Sequence, residues 1–506
     1  MSDLSWWRKA CAVFMACAAT PIGAHAQTFT NLVNFGGNNG YGPYSMSLVQ
    51  GVDGNYYGTT AFGGAYDNGT VFRITQEGVV TVLYSFCREG GCTDGNDVVA
   101  GLVLATDGKF YGTTYSGGTL GGGVTFKVTS SGGFADLYNF CRGHSCTDMP
   151  ENPEAPLIQG PDGNLYGTSI SGGHFACGSS TGCGTLFGIT PQGKLTGVYP
   201  FCAKSGCADG DVPLAGVVQG TDGAFYGTTS GAASGYGTIF RITPGGSLTT
   251  LYSFCSQPNC SDGADPFASL IQGLDGNFYG TTSQGGNADP MCGVGGCGTA
   301  FKVTPTGILT TLYAFCSQYA CADGYSPQAG LIQGTDGNFY GTTFLGGSDL
   351  IDCTAQGSGC GTVFQLAPEG ALSTLHSFSD TDGAYIHGGL LQATNGIIYG
   401  TTSLGGDLGC QYQSLGCGTT FSINMGLDPF VSFVRNPAML GQSFGILGQS
   451  FEGTTGVALN GTTAAFTVNS DTFIEATVPA GATTGYVTVA TPSGTLTSNV
   501  PFRVIP

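Results

Sequence analysis

The sequence predicts an all-β protein: a seven-bladed β-propeller of four-stranded blades, closed by its N-terminal strand and followed by a small immunoglobulin-like β-sandwich. Three observations predict it. A phrase close to D-G-x-x-Y-G-T-T recurs with its tyrosine at Tyr57, Tyr111, Tyr166, Tyr226, Tyr279, Tyr340 and Tyr399, every 53 to 61 residues, which is the length of one blade. Two further strand patterns also occur seven times each. The composition fits short strands and tight turns, with 90 Gly, 32 Phe and 23 Tyr in 506 residues. At 41% hydrophobic residues there is ample material for a core, which excludes a disordered chain, and no strict glycine period marks collagen. A net charge of -19 argues against nucleic acid or an anionic membrane surface as partner.

The first element, residues 1–26, reads as a signal peptide. Arg8 and Lys9 precede the apolar run from Ala10 to Ala19, and Ala24-His25-Ala26 supplies the small residues a signal peptidase needs. Export to the periplasm, cell surface or medium follows, with a mature start at Gln27; a lipidated Cys17 is the alternative. The run is too short to span a bilayer, and no later stretch has the roughly 20 apolar residues of a membrane helix.

Each repeat then reads as four strands, a to d. Around Tyr279 these are Ser269 to Gln272, a hairpin at Asp275-Gly276, Asn277 to Thr282, Gly298 to Thr304, and Leu309 to Phe315. Strand c carries Phe72, Phe126, Phe187, Phe240, Phe301, Phe364 and Phe421; strand d ends at Phe35, Phe86, Phe140, Phe201, Phe254, Phe315 and Phe378. The first d strand, Phe29 to Phe35, precedes any other, while the last repeat stops after its c strand. The N-terminal strand is therefore expected to pair with the strand containing Phe421, removing the exposed edges of an open array. The propeller is bounded at residues 27–426.

The phrases L-I-Q-G-x-D-G-N-F-Y-G-T-T-x-x-G-G and G-T-x-F-x-x-T-P-x-G-x-L-T-T-L-Y-S-F resemble the Gloeobacter/Verrucomicrobium (GloVer) repeat of exported bacterial tandem-repeat proteins. The resemblance covers about residues 28 to 424 and implies fold and export without naming a ligand. Residues 427–506, with G-Q-S-F-G-I-L-G-Q-S-F at 441 to 451, resemble an IPT/TIG immunoglobulin-like domain, a module that implies a spacer or interaction unit.

Eighteen cysteines follow the signal and fall into nine neighbouring pairs. Five follow strand d: Cys87/Cys92, Cys141/Cys146, Cys202/Cys207, Cys255/Cys260 and Cys316/Cys321. Four lie between strands b and c: Cys177/Cys183, Cys292/Cys297, Cys353/Cys360 and Cys410/Cys417. In an antiparallel meander those two connections share one end, so all nine decorate a single face. In an exported protein they read as disulfides rather than zinc ligands, because the gaps do not match C-x2-C and histidines are few. Each closes a loop of six to eight residues, worth roughly 2 kcal/mol, which serves rigid loops more than ring closure.

Two acidic positions repeat. Asp53, Asp107, Asp162, Asp222, Asp275 and Asp336, with Asn395 in the last copy, occupy the a-b hairpin as turn formers. Asp94, Asp148, Asp209, Asp262, Asp323 and Asp382 stand before strand a on the cysteine face. There a turn role competes with an acidic ring holding Ca2+, the one cofactor the sequence raises. Four basic residues, Arg73, Lys127, Arg241 and Lys302, share a strand-c position suited to solvent or inter-blade pairing. His144, His174, His376 and His387 recur at no fixed position and read as incidental, His376 replacing the strand-d tyrosine. Two G-x-S-x-G matches, Gly441 to Gly445 and Gly178 to Gly182, lack the strand-to-helix turn of a nucleophile elbow, and Gly293 to Gly298 lacks the helix of a dinucleotide site. No catalytic residue is assigned.

The longest b-c connections, in the fifth, sixth and seventh copies, carry Asp289, Met291, Leu350, Asp352, Gln411 and Tyr412. These are the candidate ligand-binding residues, a mixture suited to a carbohydrate or peptide. The function read from the sequence is a secreted or cell-surface protein that binds a glycan, protein or small ligand. The alternatives are a polysaccharide lyase or hydrolase on a propeller scaffold, and a structural matrix component. Catalysis needs a non-repeating cluster of acid and base, and the copies look close to uniform.

Overall fold

The computed structural model describes residues 27–44, 47–142, 149–173, 182–232, 235–348, 353, 358–410 and 415–505. The chain is all-β. Its first unit is Val49–Gln50, Tyr56–Thr60, Thr70–Ile74 and Val80–Ser85, four antiparallel strands hydrogen-bonded in chain order. Five more sheets repeat this order, the fifth unit adding the short strand Gly285–Gly286. In the last sheet Leu391–Gln392, Ile398–Thr402 and Thr419–Asn424 are completed by Thr28–Asn34 from the N-terminus. That pairing is antiparallel, with Asn31 opposite Phe421 and a bulge between Asn31 and Val33.

The recurring phrase is accounted for residue by residue. The hairpin aspartate accepts a backbone N–H two residues on and the motif tyrosine's hydroxyl; at Asp53 these are Asn55 N at 3.2 Å and Tyr57 Oη at 2.7 Å. The glycine after that tyrosine lets strand c approach, since a Cβ on Gly112 would stand 2.7 Å from the Phe126 ring and 2.9 Å from Leu102. The two threonines bond in different directions. Thr59 Oγ1 donates to Ala100 O of the next unit at 2.8 Å, while Thr60 meets Thr70 of its own strand c at 2.9 Å.

Strands b and c are buried on both faces, strand d is half-exposed, and strand a faces a central axis. Cores form between units. The strand-d phenylalanine of each unit meets the strand-c phenylalanine of the next at 5.1 or 5.2 Å, from Phe86 and Phe126 through to Phe378 and Phe421, and Phe35 meets Phe72. Glutamines at the end of strand a add a belt: Gln159, Gln272, Gln333 and Gln392 each accept from a turn N–H of the preceding unit, and Gln50 accepts from Thr394 N at 3.0 Å.

Residues 430 to 505 form two four-stranded antiparallel sheets around a core that includes Phe444, Ile446, Val457, Ile474, Val487 and Phe502. This domain sits on the a-b hairpins where the glutamine belt is interrupted. Leu104 replaces the glutamine of the second unit and packs in one cluster with Leu447, and Pro161 of the third has no N–H to offer. Three hairpin carbonyls are bonded instead by the domain: Val52 O by Thr472 Oγ1 at 2.7 Å, Pro161 O by Arg435 Nη2 at 3.3 Å, and Gly220 O by Arg503 Nη1 at 2.9 Å.

Seven disulfides join Cys87 to Cys92, Cys202 to Cys207, Cys255 to Cys260, Cys292 to Cys297, Cys316 to Cys321, Cys353 to Cys360, and Cys410 to Cys417. Cys141 and Cys183 are also disulfide-bonded, while Cys146 and Cys177 lie outside the described residues. No helix among the described residues is long and apolar enough to cross a membrane.

Candidate functional site

The d-a connection carries the chain from each disulfide loop to the axis. Its aspartate is buried and bonded within its own loop. Asp262 has no exposed surface and accepts Tyr252 Oη at 2.7 Å, Ser256 N at 2.9 Å and Gln257 N at 3.3 Å. Asp94, Asp209 and Asp323 repeat this set with Tyr84, Tyr199 and Tyr313. At Asp382 the tyrosine is replaced by His376, whose Nε2 stands 2.9 Å away. Asp148 lies outside the described residues. Among the described residues the groups gathered closely enough to hold a metal are Cys292 with Cys316 and Cys321, and Cys353 with Cys360 and Asp380; neither includes these aspartates.

After this clamp the backbone passes through a left-handed residue: Asp97, Asn152, Val212, Asp265, Ser326 and Tyr385 all have φ between 51° and 58°. For a β-branched valine that conformation is strained, and it persists only where the surroundings impose it. Two residues later comes a position that differs in every copy: Val99, Glu154, Leu214, Phe267, Gln328 and His387. Its flanks repeat, as in Pro213-Leu214-Ala215-Gly216, Pro266-Phe267-Ala268-Ser269 and Pro327-Gln328-Ala329-Gly330. All six are half-buried, and five of them, from Glu154 to His387, line one cavity of about 170 Å³ on the axis.

This depression is electrostatically distinctive. Burial pushes the Glu154 carboxyl up from its ordinary value, so that it ionises less readily, and pushes the His387 imidazole down to about 4, so that it is neutral at pH 7. Burial is also the chief cause raising the nearby Asp211 and Asp265 carboxyls. The His387 ring is flanked by Phe344 at 4.5 Å and Tyr44 at 5.1 Å, and Phe344 packs on Tyr385 at 4.9 Å. At the other end of the axis a cavity of about 330 Å³, lined by Gln50, Gln159 and Gln392, is covered by residues 432 to 437 of the C-terminal domain.

Of the residues the sequence nominated on the long loops, Asp289 accepts from Met291 N at 2.9 Å and starts a short turn, while Met291 packs against the core between the fifth and sixth units. Leu350, Asp352, Gln411 and Tyr412 lie outside the described residues, as do His144 and His174. The basic strand-c position behaves differently from expectation at Arg241. Its guanidinium pairs with Asp222 at 2.7 Å across its own hairpin, because strand c lies beside the a-b turn of the same sheet. The sequence reading missed Glu154, Phe267 and Gln328 and treated His387 as incidental. Aligning the copies on the d-a connection would have shown a position whose residue type differs in each, flanked by Pro and Ala in four of them.

No curated protein matches the chain. Among solved structures, a Bacteroides uniformis protein designated a 6-phosphogluconolactonase shares 15% identity over 68% of this chain and 88% of its own, at a TM-score of 0.42. The PQQ-bound aldose sugar dehydrogenase of Streptomyces coelicolor shares 12% over 79% and 98%, at 0.37. Likeness at that level says nothing about this chain's chemistry. The profile of the Gloeobacter/Verrucomicrobia repeat matches residues 20–181, 158–413 and 291–489. These overlapping segments take in most of the sequence, and the chain belongs to the Gloeobacter/Verrucomicrobia repeat family.

Proposed function

We infer that the protein is an exported ligand-binding β-propeller. Residues 1–26 are its signal peptide, residues 27–426 a closed ring of seven blades, and residues 427–506 an IPT/TIG-like sandwich that covers one end of the axis. Closure is supported by the pairing of Thr28–Asn34 with Thr419–Asn424 and by the Gln50 to Thr394 bonds between first and last units. Disulfides at this density belong to an oxidising compartment.

One observation carries the binding role: five side chains of different chemistry, Glu154, Leu214, Phe267, Gln328 and His387, stand at one repeated position of successive units and line a single axial depression. Purified mature protein is to be screened against glycan, peptide and small-molecule libraries, alongside an E154A/H387A double variant. A ligand lost by the double variant supports the reading; ligands that all bind the variant equally well contradict it, and the absence of any ligand returns the protein to a structural role.

The second reading, a polysaccharide lyase or hydrolase, is favoured by Glu154 and His387 sharing one cavity, since a carboxyl raised by burial and a neutral imidazole are candidates for general acid and general base. Product detection in the same screen separates catalysis from binding.

A further inference from the structure

We propose that the axial depression holds one neutral sugar ring, its apolar face against Phe267 and its hydroxyls bonded by Glu154, Gln328 and His387. The proposal rests on the depression being the binding site and names the ligand that its chemistry suits. Size sets the first limit. About 170 Å³ is close to the roughly 150 Å³ of an engineered cavity that takes one benzene, so the depression has room for one six-membered ring, with any further units outside it.

Donor and acceptor chemistry sets the second limit. Glu154, Gln328 and His387 line the cavity and make no hydrogen bond to the protein among the described residues. Most of the His387 surface is buried, and a ligand in the depression would take the place of water at its ring nitrogens. The Gln328 amide offers both donors and acceptors and a neutral imidazole one of each, while the Glu154 carboxyl supplies acceptors. A hydroxyl group donates and accepts at once, so it is satisfied by such a mixed set. A phosphate, sulfate or carboxylate is not, because it only accepts and seeks fixed positive charge; no Lys or Arg lines the cavity among the described residues.

The walls supply the remaining complement. Phe267, Leu214 and Leu390 line the cavity, while Phe344 and Tyr44, outside its lining, pack on the His387 ring and hold it in place. A pyranose has an apolar C–H face and a polar rim of hydroxyls. An aromatic wall next to converging polar groups matches both at once, which a purely apolar or purely charged ligand leaves half unused.

The test is calorimetric titration of the full mature protein at pH 7 with glucose, galactose, mannose, N-acetylglucosamine and their oligomers, against galacturonate oligomers, phosphate and choline. His387→Ala, Gln328→Ala and Phe267→Ala are compared with a control, Tyr319→Ala, which is exposed and outside the cavity lining. The expected result is binding of at least one neutral saccharide, weakened about tenfold or more by each of the three substitutions and unaffected by the control, with unchanged melting temperatures. Binding of choline, phosphate or galacturonate in a His387-dependent way, with no neutral sugar bound, overturns the sugar assignment and leaves the depression as the site. Binding of any probe that all three variants retain overturns the depression itself. No binding across the panel at millimolar concentration also overturns the sugar assignment.

Discussion

Asp262 shows what the repeated acidic position does at the scale of one residue. It has no exposed surface and four donors, so its carboxylate substitutes for water at the Tyr252 and Ser256 hydroxyls and at two loop amides. Replacing Asp262 by Ala strands those donors, and the expected cost is about 3 kcal/mol, read as a fall in thermal midpoint. An equal loss on Asp289→Ala would contradict the clamp, because Asp289 serves one exposed turn amide. Glu154 and His387 make opposite contributions to the pH dependence of stability. The imidazole's folded value, about 4, lies below its unfolded 6.5, so its contribution is lost as pH falls from 6.5 toward 4. The Glu154 carboxyl is raised on folding, so its contribution is present below the unfolded value of 4.5 and is lost as pH rises above it. Urea titrations between pH 4 and 7 should show His387→Gln removing a rise of stability with pH and Glu154→Gln removing a fall; slopes identical to wild type in both variants would refute the burial of these groups.

At the scale of the element, the disulfide loops hold backbone that cysteine does not otherwise choose. Both cysteines of the loops at Cys87/Cys92, Cys202/Cys207, Cys255/Cys260 and Cys316/Cys321 have φ between 50° and 62°, a region that favours glycine. The neighbouring cross-link and the aspartate clamp keep each loop in that shape. Non-reducing peptide mapping should therefore find only links between neighbours, Cys141 with Cys146 and Cys177 with Cys183 included. A link between two units would sink this account. The hairpins, their register and the end-to-end placement of the loops were legible in the sequence because turn residues and apolar alternation act over a few positions. Length alone marked the b-c loops, and length cannot say which of their residues pack inward. Met291, chosen there as a ligand contact, is packed against the core between two units.

At the scale of the molecule, the N-terminal strand is the fastener. Thr28–Asn34 supplies the outer strand of the last sheet, and its Phe35 meets Phe72 of the first unit with the same 5.2 Å spacing found between Phe254 and Phe301. Deleting residues 27 to 36 removes both that sheet edge and an inter-unit aromatic contact. The expected outcome is a fall of more than about 10 °C in melting temperature, since losses of several kcal/mol are involved in a domain of this size; an unchanged melting temperature would count against closure. The C-terminal domain attaches where the repeat departs from its own pattern, at Leu104 and Pro161, so the two irregularities in the glutamine belt make a docking surface instead of a weak seam.

The sequence by itself determined the strands, their order within each unit, the turn chemistry and the pairing of adjacent cysteines. Each depends on contacts between residues a few positions apart, or on a pattern copied seven times. It also announced the partner of the N-terminal strand, because a missing strand at one end and a spare one at the other can be counted. Only the tertiary structure decided that Glu154, Phe267, Gln328 and His387 meet, and that the C-terminal domain covers the opposite end of the axis. Those residues stand more than 50 positions apart in successive units, and nothing local to any one of them specifies the others. They converge because the sheets pack side by side around an axis, and a position that looks like noise in one copy becomes one side of a cavity when several copies face it together.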